Sequence, residues 1–275
     1  FSKGTRLGSS PLFLLSLFIY FKFSSTNLNL RPNSFLHIIL LFVIIVTVSY
    51  FIIRQGYSEL FIPFCVIPML STILFNQLEV SLLITLASAV TIASVSGNNF
   101  YLGVLFLISG ILSSVLVLDV RRRMVIIRAG FIVGFTQVLS LFFIEHFRIQ
   151  GSIRFVILML NGIASSIIVV GILPVFEYLF KTVTNVSLLE LTDFNHPLLQ
   201  RMILEAPGTY HHSLVVGNLS EAASQAVGAN ALLARVGAYY HDIGKLKNPE
   251  YFTENQNMRT SIHDTLSPTI SKMVI

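Results

Sequence analysis

Long apolar runs follow one another through the first two-thirds of the chain, and they limit its fold more than any other feature. A helix needs about 20 mostly apolar residues to span a bilayer. Runs that approach or meet that length lie at about 10–23, 35–53, 59–76, 79–97, 100–118, 125–144 and 154–180. The sequence therefore predicts a multi-pass membrane protein whose residues 1–182 form a seven-helix transmembrane bundle. The first run is the shortest of the seven.

Charged residues are scarce and unevenly distributed. They make up 11% of the 275 residues, whereas soluble domains contain about 25%. Residues 1–182 carry a net charge of +7 and residues 183–275 carry −2. The high pI of about 9.4 thus comes from charges that flank the apolar runs, and it does not indicate a partner that is a nucleic acid polymer.

Lysine and arginine are enriched in the cytoplasmic loops of membrane proteins, and this bias predicts the orientation. With residue 183 onward in the cytoplasm, the inner positions hold Lys22, Arg31, Arg121, Arg122, Arg123, Arg128 and Lys181. The outer loops then hold only Arg54, Arg148 and Arg154, although Lys3 and Arg6 at the start of the chain are also outside. We therefore expect residues 183–275 to be cytoplasmic. The Arg121–Arg123 triplet is either an orientation signal or a site for anionic lipids.

Ionisable residues inside a membrane usually mark a transport path. Here Glu59, Glu79 and Glu145 lie at the ends of predicted spans. The small or polar residues Gly130, Gly134, Asn161 and Gly162 are interpreted as positions where helices pack closely. This pattern disfavours a channel or transporter with a regulatory soluble domain, which remains one hypothesis.

Beyond a predicted linker at 182–195 the sequence indicates short helices. Pro207 and Gly208 break the first; a second, at about 209–227, ends at Gly228, and a third, at about 230–243, ends at Gly244. A fourth begins at Ser267–Pro268. The pattern shows no strand, so residues 183–275 are predicted to be all-α.

Two histidines and one aspartate of these helices are candidate metal ligands. His212 begins a 3-4-3-4 stripe at positions 212, 215, 219, 222 and 226, which predicts a buried face. His241 and Asp242 lie at the end of the next helix, where adjacent side chains can converge, and a turn at Gly244 would bring Lys245 back to them. Two imidazoles and a carboxylate suit iron, manganese or zinc better than magnesium. The alternative for His212 is a core histidine bonded to a carbonyl.

The runs EAPGTYHHSLVVGNLSEAA and ANALLARVGAYYHDIGK resemble the HD superfamily of metal-dependent phosphohydrolases. With the membrane helices directly upstream, the chain resembles the bacterial seven-transmembrane HD family of the cyclic-di-AMP phosphodiesterase type. The motif resemblance covers about 190–275, and the membrane part matches only in the number and position of its helices.

The resemblance implies a site and a reaction. His212, His241 and Asp242 would bind two divalent metal ions, iron or manganese, with Asp242 bridging them, and Lys245 would lie near the phosphate. Asp242 and Lys245 are thus the catalytic candidates. The implied reaction opens a cyclic dinucleotide, cyclic di-AMP, to linear pApA by attack of a metal-activated hydroxide. The alternative is a non-catalytic receptor or scaffold whose HD domain binds a nucleotide or a partner, and a homodimer is left open.

The family needs further histidine ligands and a final aspartate downstream. Since the chain starts at Phe1 rather than Met and stops at Ile275 within an apolar pattern, we expect a fragment that lacks an extracytoplasmic domain and the rest of the HD domain. Residues 1–275 alone are therefore expected to be nearly inactive. His263 and Asp264 match a family run outside the HD pair and are interpreted as rim or fold-supporting residues.

Overall fold

The computed structural model describes residues 34–144 and 152–256, together with 263, 267–269 and 272. The chain separates into two compact units, Phe1–Thr184 and Asn185–Ile275. Both units are helical, and the described residues contain no strand.

Apolar helices build the described part of the first unit, hereafter the membrane unit. They are α1 (Ser34–Arg54), α2 (Val66–Phe75), α3 (Leu78–Val95), α4 (Phe100–Leu116), α5 (Arg123–Ile144) and α6 (Ser152–Phe180). Four of these, α1, α3, α5 and α6, are long and apolar enough to cross a membrane, and α2 and α4 are shorter. The predicted span at about 10–23 lies outside the described residues.

The predicted span at 59–76 is not one helix. A 3-10 turn at Glu59–Phe61 is followed by an extended Ile62, and α2 begins only at Val66. Pro63 explains the break because proline has no N–H to donate and disfavours helical geometry in the residue before it. The Asn161 side-chain nitrogen on α6 donates to the Leu60 and Ile62 carbonyl oxygens at 3.0 and 2.9 Å. Asn161 thus satisfies backbone groups that the missing helical turn leaves unpaired, as a membrane interior requires.

Helices α5 and α6 approach each other at glycines. A Cβ on Gly162 would lie 2.4 Å from the Gly134 backbone nitrogen and 2.6 Å from the Gly130 carbonyl oxygen. The two helices therefore touch through their backbones, in the manner of small-residue contacts between membrane helices. This contact supports the interpretation of these glycines as packing positions.

Gly162→Ala is expected to destabilise the membrane unit by about 1–2 kcal/mol, because both neighbours of the new Cβ are backbone atoms that cannot rotate away. Gly171→Ala in the same helix is the matched control, since a Cβ there meets no atom within 4 Å. Unfolding in mixed detergent micelles measures both. Equal midpoints for the two variants would contradict the close approach of α5 and α6.

Between residues 185 and 256 the second unit, hereafter the HD unit, contains four helices of 7 to 20 residues. They are α7 (Asn185–Leu191), α8 (Pro197–Glu205), α9 (Pro207–Ala226) and α10 (Ala231–Tyr240). Three 3-10 turns follow at Ile243–Lys247, Pro249–Tyr251 and Thr253–Asn255. Gly228, with φ of +69°, follows the end of α9 as predicted.

Helix α7 lies within the segment that was interpreted as a linker. It folds because Leu188 is buried against Leu232 and Val236 of α10. The interpretation of 182–195 as a linker therefore missed a seven-residue helix, because its burial against α10 is a contact that only the tertiary fold supplies.

Helices α9 and α10 pack through small residues. Thr209, Ser213 and Gly217 form the buried face of α9, and a Cβ on Gly217 would lie 2.5 Å from the Tyr239 ring. Tyr239 is 2% exposed and forms a core cluster with Leu199 and Met202. This packing aligns the start of α9 with the end of α10.

Candidate metal centre

The alignment of α9 and α10 brings three candidate ligands together. His212, His241 and Asp242 each offer a ligand atom, and these atoms all lie within 4.8 Å of one another. The two imidazole rings have centroids 5.6 Å apart. His241 Nε2 lies 3.3 Å from Asp242 Oδ2. One ion could therefore contact all three side chains after small rotations.

The end of α10 lets two consecutive side chains converge. The helix ends at Tyr240, His241 caps it with helical dihedrals, and Asp242 departs from them with φ of −107° and ψ of 16°. In a regular helix, adjacent side chains diverge by about 100°. The change of conformation at Asp242 removes that divergence, which agrees with the expectation for a helix end.

A backbone carbonyl orients the His241 ring. Nδ1 lies 2.7 Å from the Ala238 carbonyl oxygen. Because a carbonyl only accepts, the neutral tautomer that makes this bond has its proton on Nδ1 and its lone pair on Nε2. Metal-binding histidines commonly have this arrangement, and here Nε2 faces Asp242 and His212.

Lys245 returns to the same site. Its Nζ lies 2.7 Å from Asp242 Oδ2 and 2.7 Å from Glu254 Oε1. Burial lowers the pKa of Lys245, but the hydrogen bonds and charges of Asp242 and Glu254 outweigh burial and raise the pKa above its usual value. Burial raises the pKa of Glu254, whereas its bonds to Lys245 and Thr209 lower it, and the net shift is downward. Lys245 therefore stays protonated at neutral pH.

Glu254 and its neighbours are residues that the sequence reasoning missed. Thr209 Oγ1 donates to Glu254 Oε1 at 3.1 Å, and the Thr209 backbone N–H donates to Asn255 Oδ1 at 3.0 Å. A Cβ on Gly208 would lie 1.8 Å from the Glu254 carbonyl oxygen. Thr209 and Glu254 are 45 residues apart, and no sequence spacing predicts a contact between a helix and a distant segment without a regular pattern. The only sequence signal of this contact was Gly208, which together with Pro207 was interpreted as a helix breaker.

The donor set fits a transition metal. Two imidazole nitrogens and one carboxylate oxygen suit iron, manganese or zinc. Within the part of the chain that the structure describes, both histidines are exposed and Asp242 is half-buried.

Two known family models match this chain. The family model described as 7TM receptor with intracellular HD hydrolase matches residues 7–184. The chain belongs to this 7TM-HD family. The HD domain model matches residues 209–272, which include His212, His241, Asp242 and Lys245.

Two curated relatives carry the same name. Cyclic-di-AMP phosphodiesterase PgpH of Bacillus subtilis (strain 168) is 41% identical over 96% of this chain and 39% of the relative. Its namesake in Listeria monocytogenes serotype 1/2a (strain 10403S) is 38% identical over 78% of this chain and 31% of the relative. The chain thus spans about two fifths or less of the length of these relatives.

A solved structure is also similar in sequence to part of this chain. The crystal structure of the L. monocytogenes PgpH HD domain in complex with cyclic di-AMP is 52% identical, with a TM-score of 0.29. The match covers 30% of this chain and 39% of that chain.

His212 does not lie on a buried stripe, and that prediction was wrong. The buried face of α9 is Thr209, Ser213 and Gly217, whereas Val215 and Leu219 of the predicted stripe are 45% and 67% exposed. The small face is buried because only it admits the Tyr239 ring. His212 stays a predicted metal ligand because the exposed face points it toward His241.

Gly244 does not end the third helix, and that prediction was also wrong. That helix ends at Tyr240, and the chain continues through Gly244 into the 3-10 turn at Ile243–Lys247. The three-residue periodicity of this turn, rather than a left-handed glycine, places Lys245 over Asp242.

Other polar side chains near the site have structural contacts. Tyr239 accepts from Arg235 Nε at 2.7 Å, and Arg235 also pairs with Glu221 at 3.0 Å. The Tyr240 hydroxyl donates to the Leu191 carbonyl oxygen. His263 Nε2 lies 2.7 Å from the Tyr251 carbonyl oxygen, which suits a fold-supporting residue; Asp264 lies outside the described residues.

Proposed function

We propose that this chain forms part of a membrane-anchored, metal-dependent phosphodiesterase that hydrolyses cyclic di-AMP to linear pApA. One observation carries the proposal: His212, His241 and Asp242 converge within 4.8 Å in a chain whose relatives are named cyclic-di-AMP phosphodiesterases. Because the chain spans 39% of the B. subtilis relative, the activity is proposed for this chain within a protein of that length.

His212, His241 and Asp242 would hold divalent ions, and we propose two, iron or manganese. Such ions would supply positive charge to the phosphate oxygens and acidity to an attacking water. The chain itself supplies orientation: the Ala238 carbonyl holds the His241 ring through Nδ1, and Lys245 restrains Asp242 at 2.7 Å.

Lys245 is proposed to bind the phosphate. An ammonium group has three N–H donors, and Asp242 and Glu254 accept two of them. The third donor is left for a phosphate oxygen, and its charge would stabilise the negative charge that grows there during attack. The raised pKa of Lys245 keeps this donor charged.

The apolar helices place the protein in a membrane, and the HD unit is proposed to lie in the cytoplasm. The support is the Lys and Arg distribution, with Arg121, Arg122, Arg123 and Lys181 at the membrane face from which the chain leaves toward the HD unit. A cyclic dinucleotide made inside the cell would then reach the site directly.

The test is hydrolysis of cyclic di-AMP by this protein in lipid vesicles at the length of its relatives. We expect linear pApA as product, complete loss of turnover with EDTA, and recovery with Mn²⁺. Binding of cyclic di-AMP without turnover, in the presence of Mn²⁺ or Fe²⁺, would instead support the receptor hypothesis and overturn the proposal.

A further inference from the structure

Glu254 links the start of α9 to Lys245. Its Oε1 accepts one hydrogen bond from Thr209 Oγ1 at 3.1 Å and another from Lys245 Nζ at 2.7 Å. The two donors therefore meet on a single carboxylate oxygen. Among the described residues, Glu254 is not part of the group that could hold a metal ion, so any part that it plays in the reaction acts through these contacts.

The Thr209 end of this link is firmly held. Thr209 is fully buried and belongs to the buried face of α9. Its hydroxyl accepts from Asn255 Nδ2 at 2.9 Å, and its backbone N–H donates to Asn255 Oδ1 at 3.0 Å. Because Asn255 directly follows Glu254, these two bonds fix the backbone beside the carboxylate. The same helix carries His212 three residues after Thr209, so Glu254 is held in register with a candidate metal ligand.

The Lys245 end of the link concerns a long side chain with many rotamers. Asp242 Oδ2 is its other ionic partner, at 2.7 Å from Nζ. The Phe252 ring, whose centroid is 5.0 Å from Nζ, supplies a cation–π contact. A single ion pair would let the ammonium group move around Asp242. Two carboxylates and a ring restrict it to one position, and Glu254 and Phe252, both from the segment 249–256, supply two of these three contacts.

We propose that Glu254 is a positioning residue, which holds the Lys245 ammonium group where it contacts a phosphate oxygen of the substrate. This role rests on the proposed function, in which Lys245 binds the phosphate. Glu254 itself contacts neither a metal ion nor the reacting atoms. Its effect on the substrate therefore passes through Lys245, and it disappears when Lys245 is replaced.

A double-mutant cycle tests this role on the protein at the length of its relatives, in lipid vesicles with excess Mn²⁺, through kcat/KM for cyclic di-AMP. Glu254→Ala is expected to lower kcat/KM by about tenfold or more, because it removes a charge-assisted hydrogen bond that fixes Lys245. Lys245→Met alone should lower it by about a hundredfold. In the Lys245→Met background, Glu254→Ala should change kcat/KM by less than about twofold. A residue that only stabilises the fold would lower kcat/KM by the same factor in both backgrounds.

Two further variants show whether the oxygen contact carries the effect. Glu254→Gln keeps a side-chain oxygen that can accept from both Thr209 and Lys245, so its loss of kcat/KM should be only about threefold. Glu250→Ala removes an exposed carboxylate from the same segment and should keep the normal kcat/KM. The amount of Mn²⁺ bound per chain should be the same in both Glu254 variants as in the unaltered protein, because Glu254 is not proposed to be a ligand.

The outcomes separate this role from the proposed function. Equal factors in the two backgrounds, or a fall in bound Mn²⁺ when Glu254 is changed, would overturn the positioning role even though the unaltered protein hydrolyses cyclic di-AMP. An unaltered protein that binds cyclic di-AMP without turnover would overturn the proposed function alone, and the same cycle, with the same expected pattern, is then measured as Kd. Absence of both binding and hydrolysis would overturn both.

Discussion

Asp242→Ala is expected to lower the rate of cyclic-di-AMP hydrolysis by about a thousandfold or more. The side chain contacts two groups, since its Oδ2 lies 3.3 Å from His241 Nε2 and 2.7 Å from Lys245 Nζ. Its removal deletes the only anionic candidate ligand of the cluster and frees Lys245 from one of its two partners. The rate of pApA formation with Mn²⁺ in excess measures the loss.

Two further variants separate ligation from a general loss of charge. Asp242→Asn keeps the shape and a hydrogen-bond acceptor but lacks the negative charge, so we expect a loss nearly as large. Glu250→Ala removes an exposed carboxylate eight residues away and should keep full activity. Metal content per chain, measured on the same samples, should fall only for the Asp242 variants. Activity near the normal rate in Asp242→Ala would remove the residue from the site.

Gly208→Ala is expected to detach the segment 249–256 from the start of α9. The new Cβ would lie 1.8 Å from the Glu254 carbonyl oxygen and 2.5 Å from its carbonyl carbon, and backbone atoms cannot rotate away. A cost of about 3 kcal/mol corresponds to roughly a hundredfold loss of hydrogen-exchange protection. Lys245 would also lose Glu254, and hydrolysis should fall with it.

Gly237→Ala is the matched control in the same unit. A Cβ there meets no atom within 4 Å, and alanine favours a helix by about 0.5–1 kcal/mol over glycine. Amide exchange at 251–256, followed by mass spectrometry, should rise for Gly208→Ala and not for Gly237→Ala. Unchanged exchange in both would show that this segment does not depend on the glycine.

Some structural features could be predicted from sequence because they depend on local chemistry. Predicted ends of the membrane spans at 35–53 and 125–144 are confirmed within about two residues, because apolar length and flanking charge determine where such helices end. The convergence of His241 and Asp242 was also predictable. It requires only that the helix end at these residues, where the backbone leaves helical dihedrals and adjacent side chains need not diverge.

Other features depended on contacts that no local pattern encodes. The span at 59–76 was predicted as one helix because its apolar content is continuous. Pro63 interrupts it, and the interruption is tolerated because Asn161, about a hundred residues later, pairs with the freed carbonyls. The buried face of α9 was mispredicted for a similar reason: apolar spacing favoured Val215 and Leu219, but the Tyr239 ring fits only against Gly217.

By itself, the sequence determined that this chain has an apolar helical part followed by a helical unit with His212, His241, Asp242 and Lys245 in family order. Hydropathy and motif spacing act within a few turns of chain, so they specify elements and candidate groups. Only the tertiary structure decided which face of α9 carries His212 outward, and that Glu254 is the second partner of Lys245. Both features depend on packing and hydrogen bonding between segments far apart in sequence, which local sequence patterns do not specify.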